Sequence, residues 1–203
     1  DDAIEGEEYG AQPGTSGVTW YLDPVDGTRA FIAGLPSWTT LIGAVDGDRP
    51  ILGVIDQPWL DERYVGLTAG EKSSWLQGRG SRLTLKTRDC PRLTEAVLST
   101  TDPFILTAPE RGAFEHIRAT ARLTRYGIDC YAYALIAAGQ IDLVIEAGLQ
   151  AYDIHAPIAV IEVSSTGRKR SSPACSIAGR NAMPSRRNWL VKSTSSIEFF
   201  ISI

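Results

Sequence analysis

Asp23-Pro24-Val25-Asp26-Gly27-Thr28 follows directly on the run Val18-Thr19-Trp20-Tyr21-Leu22, and this junction decides how the chain is read. Residues 18–23 are β-rich and read as a strand. Pro24 disfavours the α region at Asp23, so Asp23 is expected to be extended at the strand end. The chain then turns, and Asp26 can face the same point as Asp23. Gly27 permits close backbone approach, and Thr28 offers a hydroxyl. A helix starting over residues 28–32 would present free N–H groups to an anion. Hard oxygen ligands suit Mg²⁺, which takes one or two carboxylates together with water and substrate phosphate. Nearby metal ions could activate water and stabilise a leaving oxygen. Taken alone, the same hexapeptide reads more readily as a self-bonded polar turn without chemistry.

Two further acidic stations lie outward from this junction. Glu7 and Glu8 follow Gly6 just upstream of the strand, and Glu146 and Asp153 bracket Ala147-Gly148-Leu149-Gln150-Ala151-Tyr152 downstream. Taken singly, the first pair is an exposed acidic end and the second a pair of solvated caps. Three acidic stations, each at the end of an expected element, point together to one site.

Between these stations the pattern is mixed. Residues 39–45 and 51–55 are apolar runs of strand length joined by Asp46-Gly47-Asp48, a tight hairpin signal. Further strands are expected over 63–67, 74–77 and 96–100, and a buried strand over 141–146. Helices are expected over 110–123 and over 130–138, the latter ending at Gly139. A last helix over 152–163 would be capped by Asp153, with Pro157 near its first turn. Strands and helices in this order imply an α/β, or α+β, layered domain.

The net charge of −4 argues against non-specific nucleic-acid binding. Cys90, Cys130 and Cys175 form no CxxC pair, so free thiols in a reducing compartment are expected. No apolar run reaches membrane-spanning length and no signal peptide is evident, which makes the cytoplasm the expected location. The opening octet carries five carboxylates and no Met. From Ser164 to Ile203 there are seven Lys or Arg, one acid and ten serines. That shift fits a linker, a disordered tail or a changed reading frame.

Gly6-Glu7-Glu8, Asp23 to Thr28, and Tyr152-Asp153 at a helix start resemble, in order and spacing, the signatures of the inositol monophosphatase-like family of Mg²⁺-dependent, lithium-sensitive phosphatases. The resemblance covers roughly residues 5–162 and implies that family's alternating layers of helices and sheets. The segments from Asp26 to Pro36 and from Arg125 to Tyr133 look most like the histidinol-phosphatase branch. By motif, Glu7 would ligate one metal and position the attacking water, and Asp23 would bridge metals. The carbonyl of Val25 would be a further ligand, and Asp26 and Asp153 would hold the second ion. The resemblance implies two or three Mg²⁺ ions per site. Gly27 and Thr28 would bind phosphate through N–H groups, with the Thr28 hydroxyl orienting the water. Asp129 and Glu146 fall where the family contacts the alcohol part of its substrate, although Asp129 reads equally as a helix N-cap. His116 reads as a solvated surface residue, and His155 as a departure rather than a ligand.

The implied reaction is direct attack of metal-activated water on histidinol phosphate. Inositol phosphate or a 3′-phosphonucleotide is the alternative substrate, and a small phosphorylated molecule is the only partner implied apart from a second copy in a homodimer. Family members usually carry helices before the Gly-Glu-Glu segment and closing strands after the last helix. The chain therefore reads as an N-terminally truncated core over 1–163 with a divergent tail over 164–203, and an inactive fragment is the competing expectation.

Overall fold

The computed structural model describes residues 1–8 and 10–165, and the backbone alone of 188–192 and 198–202. Eight strands form one sheet: β1 (Ala3–Gly6), β2 (Gly10–Gln12), β3 (Val18–Asp26), β4 (Thr39–Asp46), β5 (Arg49–Gln57), β6 (Glu62–Leu67), β7 (Ser73–Gly78) and β8 (Ser81–Thr84). Its order is β2-β1-β3-β4-β5-β6-β7-β8, an antiparallel meander from β3 onward with β1 running parallel to β3. The expected hairpin forms as read: Asp46 pairs with Arg49, and Gly47 takes φ 61° in the turn. β8 and β2, short and mostly exposed, carry too little alternation to be read from sequence.

A second, parallel sheet follows the order β10 (Leu123–Tyr126), β9 (Val97–Thr100), β11 (Leu143–Val144). The helix expected over 110–123 is α2 (Ala108–Thr120), and Leu123 opens a strand instead. Ala121 takes an extended conformation, ending the helix, and Arg122 N–H donates to the Ala96 carbonyl beside β9. The single strand expected over 141–146 is split: β11 belongs to the parallel sheet, whereas β12 (Glu146–Ala147) pairs with another sheet. That third sheet is completed by β13 (Asn188–Lys192) and β14 (Glu198–Ser202), so these backbone stretches lie within the basic, serine-rich tail. The remaining expectations for 164–203 lie outside the described residues, as does Cys175.

Helices α3 (Tyr131–Ala137) and α4 (Ala151–Ser164) pack on each other, with α4 on β4, β5 and β6 and α3 touching β11. The result is the expected α/β layering. The core between layers holds Leu41, Ile55, Leu98, Leu143, Ile154 and Val160, all essentially inaccessible.

The close approach of α4 to the sheet depends on three glycines. Gly43 pairs with Gly53, and Gly53 with Gly66, so they form a row across three adjacent strands. A Cβ on Gly53 would lie 2.2 Å from the carbonyl oxygen of Ala156, and one on Gly66 would lie 2.5 Å from that of Ala159. The row is a channel in the sheet surface in which the helix backbone sits. No helix among the described residues is long and apolar enough to cross a membrane.

Candidate active site

β3 does not end at Asp23 as expected but continues to Asp26. In a regular strand, residues three apart face opposite sides. Here Asp23 pairs with Leu41 and Asp26 with Thr39, three residues on one strand against two on the other. This irregularity inserts one residue and corrects the parity. Pro24, which has no N–H for a ladder, sits within it, and its carbonyl accepts from Thr40 Oγ1 at 2.7 Å. Both carboxylates thereby reach the same cleft.

Asp153 arrives from the second station. Gln150, not Asp153, is the N-cap of α4, and Asp153 stands at the third helical position. Its Oδ2 accepts the Gln150 N–H at 2.6 Å, the reciprocal half of a capping box. Pro157 stands in the second turn rather than the first. Asp23, Asp26 and Asp153 each bring an oxygen into a group whose members lie within 4.8 Å of one another. Each also commits one oxygen to a backbone N–H: Asp23 Oδ1 accepts from Val25 at 2.9 Å, and Asp26 Oδ2 from Cys130 at 2.8 Å. Clustered hard oxygens of this kind fit a divalent cation such as Mg²⁺.

Glu7 reaches the cleft because β1 runs beside β3, with Glu7 N–H donating to the Leu22 carbonyl. It lines the rim and remains exposed, outside the close trio. Val25, Gly27 and Thr28 line the same cleft, whose volume is about 220 Å³. Gly27 takes φ 82°, and a Cβ there would meet the Asp129 carboxyl at 3.1 Å. The helix expected after it is α1 (Thr28–Ile32), only five residues long. Thr28 Oγ1 donates to the Val25 carbonyl at 3.2 Å.

Asp129 and Glu146 line the same cleft. Asp129 is not the N-cap of α3; that position is Cys130, and Asp129 takes φ 44°. Its carboxyl bonds to Thr101, whose N–H also donates to Glu146 Oε1 at 2.6 Å. Thr101 and Ile105 are cleft residues the sequence reading did not single out. The signal was available in part, since Thr101 immediately follows the strand ending at Thr100, where sites gather beyond the carboxyl ends of parallel strands. His116 is exposed, as read. His155 packs its ring 4.4 Å from Tyr21 and is not in the carboxylate group.

The electrostatics follow from packing acids together. Burial, then repulsion from Asp26 and Glu7, pushes Asp23 up to about 8. Burial likewise raises Asp26 to about 7 against the opposing Cys130 N–H, and Glu146 to about 8 against Thr101. Asp153 rises to about 6, again mainly through burial, against the Gln150 N–H. A carboxyl group whose folded pKa lies above its unfolded value stabilises the fold when protonated. That contribution is complete below pH ~4 and is lost as pH rises through the folded values. We therefore expect the melting temperature in chelator to fall steadily between about pH 5 and pH 8.5. A flat profile over that range would show that these acids do not share one buried cleft.

Residues 1–164 match the profile of the inositol monophosphatase family. The bifunctional phosphatase IMPL2, chloroplastic, of Arabidopsis thaliana is 43% identical over 165 residues, 79% of this chain and 45% of its own length. A histidinol-phosphatase of Chlorobaculum parvum is 30% identical over 162 residues, covering 80% of this chain and 61% of that protein. An inositol monophosphatase structure from Zymomonas mobilis superposes with a TM-score of 0.71 at 40% identity, over 80% of this chain and 60% of that one. The chain thus spans between 45% and 61% of the length of these relatives. The match runs through every strand and helix that brings a carboxylate to the cleft, and on that ground the chain belongs to the inositol monophosphatase family.

Proposed function

We propose that this chain carries the core of a Mg²⁺-dependent phosphomonoesterase that acts on histidinol phosphate. The observation that carries the reading is one cleft holding two acidic groups: the trio Asp23, Asp26 and Asp153, and, beyond Gly27, the pair Asp129 and Glu146. The first group suits metal and phosphate. The second suits a substrate whose alcohol part is cationic, as the ammonium and imidazole of histidinol are. The name of the Chlorobaculum relative, a histidinol-phosphatase, favours the same substrate.

In this reading Asp23, Asp26, Asp153, the Val25 carbonyl and Glu7 hold two or three Mg²⁺ ions. Bound Mg²⁺ supplies charge neutralisation and lowers the pKa of water. The chain's own part is positioning. Gly27 and Thr28 hold the phosphate by their N–H groups. The Thr28 hydroxyl accepts a hydrogen bond from the attacking water, and Glu7 holds that water at the rim. Asp129 and Glu146, fixed together by Thr101, orient the alcohol. Cys130 is a buried free thiol, which favours a reducing compartment such as the cytoplasm. We also expect a homodimer.

The test is phosphate release from histidinol phosphate, with inositol 1-phosphate and a 3′-phosphonucleotide as comparators, in Mg²⁺ and in chelator. We expect Mg²⁺-dependent turnover of histidinol phosphate, with Asp129→Asn and Glu146→Gln each lowering its kcat/KM by about 10²-fold. Both variants should change inositol phosphate turnover much less. Preference for inositol phosphate would transfer the reading to the activity named for the Zymomonas neighbour. No turnover of any substrate would make this chain an inactive fragment.

A further inference from the structure

The interior proline of α4 removes one donor from the helix ladder at the place where Asp153 enters the site. Pro157 has no N–H, so the Asp153 carbonyl four residues earlier loses its helical donor. The Cys130 thiol lies 3.7 Å from that carbonyl oxygen and donates to it. Cys130 also touches a second member of the trio. Its backbone N–H donates to Asp26 Oδ2 at 2.8 Å, and its thiol interacts with the Asp26 carboxyl. Cys130 is only 2% exposed. An inert core cysteine would need only apolar neighbours; this one bonds to two acidic residues that come from β3 and α4.

We propose that Cys130 is a positioning residue of the metal site, its thiol replacing the helix N–H that Pro157 removes and so setting the separation of Asp153 from Asp26. The inference rests on the reading that Asp23, Asp26 and Asp153 bind a divalent cation. It adds that one residue at the start of α3 fastens two of the three, and that Cys130 and Pro157 act as a pair.

The pairing gives a test that does not depend on turnover. The full 203-residue chain is titrated with Mn²⁺, and free Mn²⁺ is followed by electron paramagnetic resonance. Melting curves in chelator establish that each variant is folded. Cys130→Ala should weaken Mn²⁺ binding by about tenfold, as loss of a hydrogen bond to a metal ligand commonly does. Cys130→Ser, which keeps a donor, should stay within about threefold of the unsubstituted chain. Adding Pro157→Ala to Cys130→Ala restores the helical N–H and should return affinity to within about threefold. If Cys130→Ala does not fold, Cys130→Val keeps the volume without a strong donor and serves in its place.

A purely structural cysteine would lower the melting temperature without this pattern of affinities. Equal Mn²⁺ affinity in Cys130→Ala and the unsubstituted chain overturns the proposal. So does a double variant that binds as weakly as the single one. Failure of the unsubstituted chain to bind Mn²⁺ in a manner lost with Asp23→Asn overturns the metal-site reading, and this inference with it.

Discussion

Asp23→Asn is expected to reduce phosphate release by about 10³-fold or more while raising the melting temperature of the metal-free protein. The two effects have one cause. Asp23 is 2% exposed and shares a 4.8 Å cluster with Asp26 and Asp153. Without a cation, its charge is opposed first by burial and then by Asp26 and Glu7, which holds its pKa near 8. Asparagine has nearly the shape of the protonated acid, and its Oδ1 can still accept the Val25 N–H that Asp23 accepts at 2.9 Å. The fold is therefore kept and the buried charge removed. The penalty removed is small below pH ~4 and grows as pH rises toward 8, so the gain should be larger at pH 8 than at pH 5. Each kcal/mol gained corresponds to about 2–4 °C for a chain of this size. With Mg²⁺ present the order should reverse, since only the acid form gains from binding the cation. Melting curves at both pH values, with and without Mg²⁺, and a phosphate-release assay decide the matter. Activity retained within tenfold, or a lower melting temperature in chelator, would remove Asp23 from the centre of the site.

The second large effect is expected where the sheet meets α4, outside the carboxylate trio. Gly53→Ala should destabilise the protein by about 3 kcal/mol or more, because the new Cβ has no space to relax into. It would lie 2.2 Å from the Ala156 carbonyl oxygen and 2.9 Å from the Ala159 Cβ. The first is backbone in the second turn of α4, which moves only if the helix lifts from the sheet. Lifting that end displaces Asp153, so surviving protein should also bind metal more weakly. Gly43→Ala provides the comparison, since its nearest contacts are 3.1 Å and one of them is the Cβ of His155. Its cost should be well below that of Gly53→Ala. Urea denaturation read by circular dichroism measures both. Equal and small losses would mean that α4 does not seat in the glycine row. A domain margin of roughly 5–15 kcal/mol makes the larger loss consequential.

The glycine row also explains why part of the fold was not legible. Gly43, Gly53 and Gly66 are far apart along the chain and look like ordinary strand glycines. They become a channel only when β4, β5 and β6 pair in register. The hairpins themselves were legible, because Asp46-Gly47-Asp48 and the alternating runs around it are local signals. The two-residue strands β11 and β12 were not separable, because no turn residue between Leu143 and Ala147 marks which sheet each pair of residues joins. The extra helix length expected to Leu123 failed for a similar reason: Leu123 is apolar in either pattern, and its pairing with Val97 decides the outcome.

At the site, the residue types and their order were determined by the sequence. The Asp-Pro-Val-Asp-Gly-Thr run, the upstream Glu7 and the downstream Asp153 mark three stations of oxygen ligands whose chemistry is local to the side chains. Their convergence was decided by tertiary structure. The inserted residue in β3 puts Asp23 and Asp26 on one side, the parallel β1 brings Glu7 beside them, and the seated α4 delivers Asp153. Thr101 and Cys130 show the same division. Neither offers a carboxylate ligand, and each matters through bonds to residues distant along the chain. A motif records which donors are available; only pairing register and helix packing set the few ångströms between them.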